Sequence, residues 1–264
     1  MKILKRKLNG FGRVLADAFF PWDKCLLCGG EADAGGYLCD DCGIRLAAYG
    51  RCSVCGCFLR LPQGEPADGG DYLCSYCKEN DSESIYIDEY YSALPYADKC
   101  REYLLALKYR NGCKYASPLA GHLADCLLHR VPKWLGSAKF ERILNADLVV
   151  EVPLHKLRLE ERGYNQSAIL AEVFSARLGV PYVPNVLQRH KMTAVQHRLN
   201  AHERKLNTED AFSPARNGRK VQGKRVILLD DIITGGSTLN NCAKVLKELG
   251  AAEVYGVTVA SALQ

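Results

Sequence analysis

The sequence has no apolar run that approaches the roughly 20 residues needed to span a bilayer. It also lacks a GxxxxGK[ST] motif, which disfavours a P-loop nucleotide hydrolase. Residues 1–20 contain neither the long apolar segment nor the small-residue cleavage site of a secretory signal. Because these features are missing, we expect a cytoplasmic protein whose association with membranes is at most peripheral.

The composition excludes wholesale disorder. Hydrophobic residues make up 48% and charged residues 25% of the 264 residues, which is typical of globular proteins. The 35 Lys and Arg residues exceed the 30 Asp and Glu residues by five, and this balance permits an anionic partner without requiring one. The length suits one sizeable domain accompanied by a smaller one.

Residues 1–20 have the apolar periodicity of a short amphipathic helix. The apolar side chains recur every third or fourth residue, at Leu4, Leu8, Phe11, Leu15 and Phe19. We expect this helix to dock on the body of the protein, and the alternative is a basic helix that lies on a membrane or a partner.

Thirteen cysteines are unusual for this length, and nine of them lie between Cys25 and Cys77. Their odd number and the missing export signal argue against a disulfide framework. They include four CxxC pairs, and two residues between cysteines let a tight turn aim both thiolates at one metal ion. Tetrahedral zinc needs two such pairs. Sequential pairing predicts one zinc on Cys25, Cys28, Cys39 and Cys42, and a second zinc on Cys52, Cys55, Cys74 and Cys77.

Three alternatives remain open for this cysteine-rich segment, which we assign to residues 21–83. A cross-braced arrangement would join the first pair to the third and the second to the fourth, and iron–sulfur ligation is a minor competitor. Cys57 offers a further thiol near the second site, where we expect a spare or buried thiol. Closed four-thiolate sites are scaffolds, although such a module can also contact nucleic acid or protein directly.

The middle of the chain is less informative. Residues 84–96 alternate in a β-like way and predict a hairpin or edge strands. Residues 97–109 and 117–131 have helical periodicity, and Ser117 is a plausible N-cap of the second helix because Pro118 follows it.

The most specific signal lies near the C-terminus. Val226 to Leu229 is a continuous apolar run, which predicts a buried parallel strand. Asp230 and Asp231 follow it, and the loop from Thr234 to Thr238 leads into a helical periodicity that ends at Gly250. Free backbone N–H groups at the start of that helix would face an anion, while the two carboxylates suit the vicinal hydroxyls of a ribose. The segment therefore predicts a sugar-phosphate site at a strand end.

LLDDIITGGST resembles the 5-phosphoribosyl-1-pyrophosphate (PRPP) motif of type I phosphoribosyltransferases. Together with the cysteine-rich N-terminus, LKYRNG, VPLHKLRLEERGYNQS and TAVQHRLNAHERKLNTEDAF, it resembles the ComF family of ComFC-like competence proteins. The resemblance implies an α/β fold of the type I phosphoribosyltransferase class, a parallel twisted sheet flanked by helices, with a small N-terminal double zinc ribbon. It assigns residues 84–264 to this domain, with a hood at about 84–146 and a core at about 147–264.

The resemblance also implies a set of site residues. Asp230 and Asp231 would be catalytic and would contact the ribose hydroxyls. The 5-phosphate would be held by Thr234, Gly235, Gly236, Ser237 and Thr238. The pyrophosphate loop would comprise Pro153, Leu154, His155 and Lys156, and the same pocket would be lined by Arg162, Asn165 and Gln166. A mobile loop would carry Gln196, Arg204 and Asn207. The sequence departs from the family at Tyr164, where phenylalanine is frequent, and at Val195, where proline is expected.

The implied ligands are PRPP and magnesium, in addition to two structural zinc ions. The implied reaction is phosphoribosyl transfer to an acceptor that the sequence does not reveal. The alternative is a non-catalytic PRPP sensor that binds single-stranded DNA and serves the competence machinery, including a helicase-type protein. Residues 189–225 hold ten Lys and Arg against three Asp and Glu, so this stretch could cover pyrophosphate, follow a nucleic-acid backbone or be a solvated linker.

Overall fold

The computed structural model describes residues 22–62, 65, 70–79, 85–129, 137–191 and 211–264. The helix predicted within residues 1–20 lies outside these ranges, as do Gln196, Arg204 and Asn207 of the predicted mobile loop. Within the described ranges, no helix combines the length and the apolar character that a bilayer crossing requires.

Four parallel strands form the central sheet in the order β3-β8-β7-β4. The strands of the chain are β1 (Gly50–Arg51), β2 (Phe58–Leu59), β3 (Glu89–Pro95), β4 (Leu148–Glu151), β5 (Leu187–Arg189), β6 (Phe212–Pro214), β7 (Arg225–Ile233) and β8 (Glu253–Ser261). The continuous apolar sequences of β7 and β8 follow from burial on both faces, as parallel sheets require. The predicted parallel sheet is confirmed.

Helices cover both faces of this sheet. They are α1 (Asp40–Ala47), α2 (Ser75–Glu79), α3 (Asp98–Leu107), α4 (Ala116–His129), α5 (Ser137–Leu144), α6 (Lys156–Arg162), α7 (Gln166–Leu178) and α8 (Ser237–Glu248), with 3-10 helices at Arg110–Tyr115 and Gly218–Val221. One buried cluster joins α4 and α7 to one face through Leu123 and Phe174. A second cluster joins α8 to the opposite face through Leu246. The sheet is therefore a rigid support for its loops.

The cysteine-rich segment is joined to this sheet by side chains and backbone. Arg51 donates hydrogen bonds to the carbonyl oxygens of Gly56 and Ser92, and its guanidinium lies 3.2 Å from the centre of the Phe58 ring. The backbone of Phe58 exchanges a further hydrogen bond with Gln264, beyond the end of β8. The second half of the segment therefore packs on the edge of the sheet.

Three local predictions differ from the structure. Glu89–Pro95 is a fully buried edge strand that pairs in parallel with β8, so the edge-strand alternative is confirmed and the hairpin alternative is wrong. This strand lies within the range expected for the hood but belongs to the central sheet. The strand β7 continues through both aspartates because β8 extends alongside it to Ser261. The helix α4 begins at Ala116, directly after a 3-10 helix, so Ser117 lies in its first turn and is not its N-cap.

Candidate functional site

Two adjacent carboxylates lie near the carboxyl end of the central strand β7. Asp230 pairs with Thr258 of β8, and both aspartates are buried, with 9% and 4% of their surfaces exposed. Strand β4 lies on the other side of β7 and ends beside them, because the N–H of Val152 donates to the carbonyl of Leu229 at 2.9 Å. The ends of two parallel strands thus meet at one edge, where open α/β sheets bind ligands.

The carboxylate of Asp230 is held by two donors. The hydroxyl of Ser167 donates to its Oδ1 atom at 2.7 Å, and the backbone N–H of Asp231 donates to the same atom at 2.9 Å. Burial, reinforced by the neighbouring charge of Asp231, raises the pKa of Asp230 to about 8. The pair therefore resembles other closely spaced carboxylates in which one group keeps its proton near neutral pH.

Asp231 faces the segment that follows α3. Its Oδ2 atom lies 3.6 Å from the Nζ atom of Lys108 and makes no hydrogen bond to any residue that the structure describes. A buried carboxylate oxygen with one distant cation as its partner retains capacity to accept hydrogen bonds. The arrangement can accept from a ligand hydroxyl or from a water molecule of a hydrated metal ion.

The loop after β7 leads directly into α8. Gly236 occupies the N-cap position in the left-handed conformation, at φ 74°, and as a glycine it has no side chain that could cap the first N–H groups of the helix. Glycine adopts this conformation without steric cost. Thr234 is exposed and the rest of the loop is half-buried, so the uncapped N–H groups and hydroxyls can face an anion.

The loop after β4 forms the opposite wall. Pro153 is buried, Leu154 and His155 are half-buried, and the side chain of Lys156 is 83% exposed. His155 caps α6, since its Nδ1 atom accepts from the N–H of Leu157 at 3.3 Å. The accepting role of Nδ1 places the proton of a neutral His155 on Nε2.

The RGYNQS segment ties these walls together. The side-chain amide of Asn165 donates to the carbonyl of Val152 at 2.9 Å, and its Oδ1 atom caps α7 by accepting from the N–H of Ser167. Arg162 donates to the side-chain carbonyl of Gln166 at 3.1 Å. The segment thus contacts both the β4 loop, through Asn165, and Asp230, through Ser167.

Tyr164 fixes the position of the LKYRNG segment. Its hydroxyl donates to the carbonyl oxygens of Leu107 and Tyr109, which flank Lys108. Burial raises the pKa of Tyr164, so the group remains a donor at neutral pH. The departure from phenylalanine therefore adds a tether for the segment that carries Lys108.

Arg189, the last residue of β5, is a second cation that interacts electrostatically with Asp230. Its guanidinium lies 5.3 Å from the centre of the Phe212 ring, and burial lowers its pKa while Asp230 opposes that shift electrostatically. The residue ends β5, next to the segment that holds Gln196 and Arg204, outside the described residues. Arg189 therefore lies within electrostatic range of Asp230.

The cysteines form two groups of four that could each hold a metal ion. All thirteen are free thiols, and within each group the sulfur atoms lie within 4.8 Å of one another. The groups are Cys25, Cys28, Cys39 and Cys42, and Cys52, Cys55, Cys74 and Cys77. This pairing is sequential, so the cross-braced alternative does not apply.

The sulfur spacing in both groups fits tetrahedral zinc. The Sγ atoms of Cys28 and Cys39 are 3.7 Å apart, and those of Cys55 and Cys74 are also 3.7 Å apart. A tetrahedron with metal–sulfur bonds of about 2.3 Å has edges of about 3.8 Å. Backbone N–H groups point at the sulfurs as well, from Gly30 to Cys28 and from Cys77 to Cys74.

Sequence reasoning missed three residues of this site. Ser167 stands in the RGYNQS segment but was not assigned a role, and Lys108 stands in LKYRNG without a predicted partner. Arg189 was counted only among the cations of a basic stretch. Their positions in recognised segments were the available signal, and the contacts themselves depend on tertiary structure.

Comparison with known protein families identifies a domain in the C-terminal part of this chain. The family described as "Phosphoribosyl transferase domain" matches residues 159–264. These residues include both aspartates, the loop before α8 and the RGYNQS segment. The match agrees with the parallel sheet flanked by helices and confirms the predicted fold class.

Two relatives match over most of the chain. Competence protein F of Haemophilus influenzae is 28% identical over 232 residues, which cover 88% of this chain and 93% of the relative. The DNA utilization protein YhgH of Escherichia coli is 31% identical over 225 residues, which cover 82% of this chain and 93% of the relative. Both alignments extend beyond the phosphoribosyltransferase match into the N-terminal half.

Among solved structures, one similar chain is the glutamine PRPP amidotransferase of Bacillus subtilis in complex with ADP and GMP. It is 22% identical, with a TM-score of 0.36, and the match covers 58% of this chain and 30% of that one.

Proposed function

The chain belongs to the ComF family of competence and DNA utilization proteins, and from this premise we propose that it binds PRPP and magnesium and transfers the phosphoribosyl group to an acceptor. The observation that carries the proposal is the carboxylate pair of Asp230 and Asp231 next to the uncapped start of α8. Carboxylates suit ribose hydroxyls and the helix start suits the 5-phosphate, so one ligand satisfies both.

The other site residues have roles that follow from their positions. Pro153, Leu154, His155 and Lys156 hold the pyrophosphate, with the exposed ammonium of Lys156 as its cation. Arg162 and Gln166 are linked side chains at the rim of the same pocket, and Asn165 fixes the loop below it. Gln196 and Arg204 would close over the pyrophosphate.

The residues present fit magnesium as a partner of PRPP. The Oδ2 atom of Asp231 can still accept a hydrogen bond, and a water molecule of a hydrated divalent cation would donate one to it. Asp230 and Asp231 would hold this ion through its water molecules, and the ion when bound neutralises charge on the pyrophosphate. In the ligand-free protein the positive charge beside the Asp231 Oδ2 atom comes from Lys108, whose Nζ atom lies 3.6 Å away.

The chain's own residues would then stabilise the separation of the sugar from pyrophosphate. As the bond at the anomeric carbon lengthens, positive charge develops on the ribose ring. This charge and the bound cation would lower the pKa of Asp230 below its ligand-free value, so that both carboxylates stabilise the ring electrostatically. Lys156 and the loop that contains Arg204 offset the negative charge of the leaving pyrophosphate. Closure of that loop would exclude water, which otherwise consumes the reactive sugar.

Calorimetric titration of PRPP with magnesium tests this proposal. Wild-type protein should bind PRPP, and the variant Asp230→Asn/Asp231→Asn should lose binding. A matched control is Asp40→Asn/Asp41→Asn, which changes two adjacent exposed acids in the first turn of α1. Equal binding by the wild type and the site variant would overturn the assignment. Release of pyrophosphate in the presence of candidate bases and nucleic acids would identify the acceptor.

We further propose that both four-cysteine groups hold structural zinc. The four thiolates leave no open coordination position for catalysis, and the 3.7 Å sulfur spacing supports tetrahedral metal. Because each zinc ion would join separate turns of this segment through four thiolates, metal binding and folding should be coupled. Metal analysis should give about two zinc ions per chain.

A second candidate function, binding of single-stranded DNA in DNA uptake, rests on a separate observation. Four exposed cations lie on the turn before β7, at Arg216, Arg219, Lys220 and Lys224. Hydrogen bonds from the backbone and side chain of Asn217 to the carbonyls of Asn185 and Pro184 hold this turn. Such a surface can follow a phosphate backbone at the end of the sheet opposite the aspartates. In this reading the PRPP site serves as a sensor, and a competence helicase-type protein would be a further partner.

Charge reversal distinguishes the surfaces that could contact DNA. Lys220→Glu/Lys224→Glu should weaken binding of a single-stranded oligonucleotide and reduce its salt dependence. The matched variant Lys24→Glu/Lys78→Glu reverses two exposed charges on the cysteine-rich segment. Loss of binding only in the second variant would assign DNA to the metal-binding segment. DNA binding by Asp230→Asn/Asp231→Asn would show that the PRPP site is not required for it.

A further inference from the structure

The second cysteine group has a fifth thiol, that of Cys57, next to three of its four members. Its tight set of four is Cys52, Cys55, Cys74 and Cys77. Cys57 is only 4% exposed, belongs to the same buried cluster as Cys52, Cys55 and Cys74, and its thiol interacts with theirs. The buried side chain is therefore directed at the same place as the four thiols of the group.

The backbone fixes this orientation. The N–H of Cys52 donates to the carbonyl of Cys57 at 3.0 Å, which closes the turn that contains both cysteines. Gly56 has φ +65°, a left-handed conformation, and a Cβ atom there would lie 3.2 Å from the carbonyl oxygen of Tyr90. The residue after Cys57 begins β2. The Cys57 side chain is thus held by a constrained turn and a strand.

Cys77 approaches the same three thiols from the other side. It lies in the short helix α2, and its thiol also lies within hydrogen-bonding reach of Cys52, Cys55 and Cys74. Cys77 is half-buried, whereas the other four cysteines are buried. The cluster therefore has three shared thiols and two candidates for the fourth position, one protected and one accessible to reagents.

We propose that the second metal site has two alternative fourth ligands, Cys77 and Cys57, and that Cys57 retains the metal when Cys77 is lost. In this exchange the bond from the metal to the Cys77 sulfur breaks and a bond to the Cys57 sulfur forms. The Cys57 thiol releases a proton, and the departing Cys77 thiolate takes one up. The metal keeps four thiolates, and nothing is oxidised or reduced. This inference rests on the proposed zinc at this cluster.

The two clusters differ in this respect. Among the described residues, the first cluster has four thiols and no fifth, although its Cys28 is exposed. The second cluster packs on the edge of the central sheet through Arg51 and Phe58. Loss of its metal would therefore disturb the domain that carries the proposed PRPP site. A second possible fourth ligand would keep the metal bound and so preserve the contacts of Arg51 and Phe58 with the sheet.

Metal content of full-length variants tests the inference. Cys57→Ser and Cys77→Ser should each retain about two zinc ions per chain after dialysis, and Cys57→Ser/Cys77→Ser should retain about one. Cys28→Ser is the matched control and should retain about one, because its cluster has no substitute. If Cys77→Ser alone falls to about one ion, the inference is wrong. A wild type with fewer than about two ions would instead overturn the proposed zinc sites.

A second measurement does not depend on the folding of variants. Limited alkylation of the zinc-loaded wild type should modify Cys77 before any other cysteine of the second cluster, with zinc retained. Peptide mapping and metal analysis on the same sample give both readouts. In Cys57→Ser the same alkylation should release one zinc ion per chain. Release of zinc from the wild type on modification of Cys77 would contradict the inference.

Discussion

The hydroxyl of Ser167, in the first turn of α7, donates a 2.7 Å hydrogen bond to Oδ1 of Asp230, 63 residues further along the chain. Both side chains are buried. The bond joins the RGYNQS segment to the acidic pair at the end of β7, so the pyrophosphate side and the ribose side of the proposed site share one support. A hydroxyl that donates to a carboxylate also fixes which lone pairs remain for a ligand.

Replacement of this hydroxyl should weaken PRPP binding. Ser167→Ala removes a hydrogen bond to a group that can carry charge, which contributes about 1.5–3 kcal/mol. Because Asp230 would lose its orientation, we expect PRPP affinity to fall about tenfold or more in calorimetric titration. Ser175→Ala is the matched control, since Ser175 is buried in the same helix and donates to the carbonyl of Glu172. Equal losses in both variants would indicate a general effect on α7.

The raised pKa of Asp230 predicts a pH dependence of stability. In the unfolded chain this carboxyl loses its proton near its ordinary pKa of 3.8, whereas in the folded protein it keeps the proton until about pH 8. Folding therefore binds a proton between these values, and the contribution of Asp230 to stability declines as the pH rises from about 4 to about 8. Protonated Asp230 is favoured because burial and the charge of Asp231 both oppose its ionisation.

Urea unfolding of the ligand-free protein at pH 5 and pH 8 measures this effect. Asp230→Asn should lose less stability than the wild type between the two values, because its amide cannot ionise. The lowered pKa values of Asp147 and Glu253 affect stability only at more acidic pH, and the raised pKa of Glu151 acts equally in both proteins. An unchanged pH dependence in the variant would contradict the assignment.

The ion pair of Lys108 and Asp231 should contribute to stability when no ligand is bound. Its 3.6 Å separation and the 6% exposure of the Asp231 side chain indicate little screening by water. Removal of the cation in Lys108→Met leaves a buried carboxylate without that partner, which we expect to cost about 1–3 kcal/mol in urea unfolding. In an Asp231→Asn background the same change should cost much less, because the charge it balances is gone. Equal costs in both backgrounds would show that the two residues do not interact.

The local parts of the site could be predicted from the sequence because each depends on neighbouring residues. An apolar run before Asp230 and a glycine loop before a helical periodicity are visible within about two dozen residues. The cysteine groups were predictable for the same reason, since CxxC pairs in sequence supply complete ligand sets.

Other features depend on contacts between distant segments. The alternation of residues 84–96 predicted a hairpin or edge strands, and the edge strand is confirmed, but the sequence does not show that its partner is β8, which lies more than 150 residues further on. The hydrogen bond of Ser167 and the ion pair of Lys108 likewise join segments that no local pattern connects. Gln196 and Arg204 remain predictions from the resemblance alone.

Tyr164→Phe should loosen the segment that carries Lys108 while leaving the fold intact. The tyrosine hydroxyl donates to the carbonyls of Leu107 and Tyr109. Its loss should lower the free energy of unfolding by about 1 kcal/mol. Because the phenyl ring still fills the same space, the core should keep its packing. Hydrogen exchange should become faster in residues 107–115, and affinity for PRPP should change because Lys108 is less well positioned.

The matched control is Tyr182→Phe, which removes the hydroxyl of another half-buried tyrosine that interacts with Glu151, away from the LKYRNG segment. It should leave exchange in residues 107–115 at the wild-type rate. If Tyr164→Phe also leaves that rate and PRPP affinity unchanged, the hydroxyl is not a tether, and the substitution of tyrosine for the family's frequent phenylalanine has no consequence at the site. If hydrogen exchange in residues 107–115 becomes faster but the affinity for PRPP stays the same, the hydroxyl is a tether and Lys108 has no part in ligand binding.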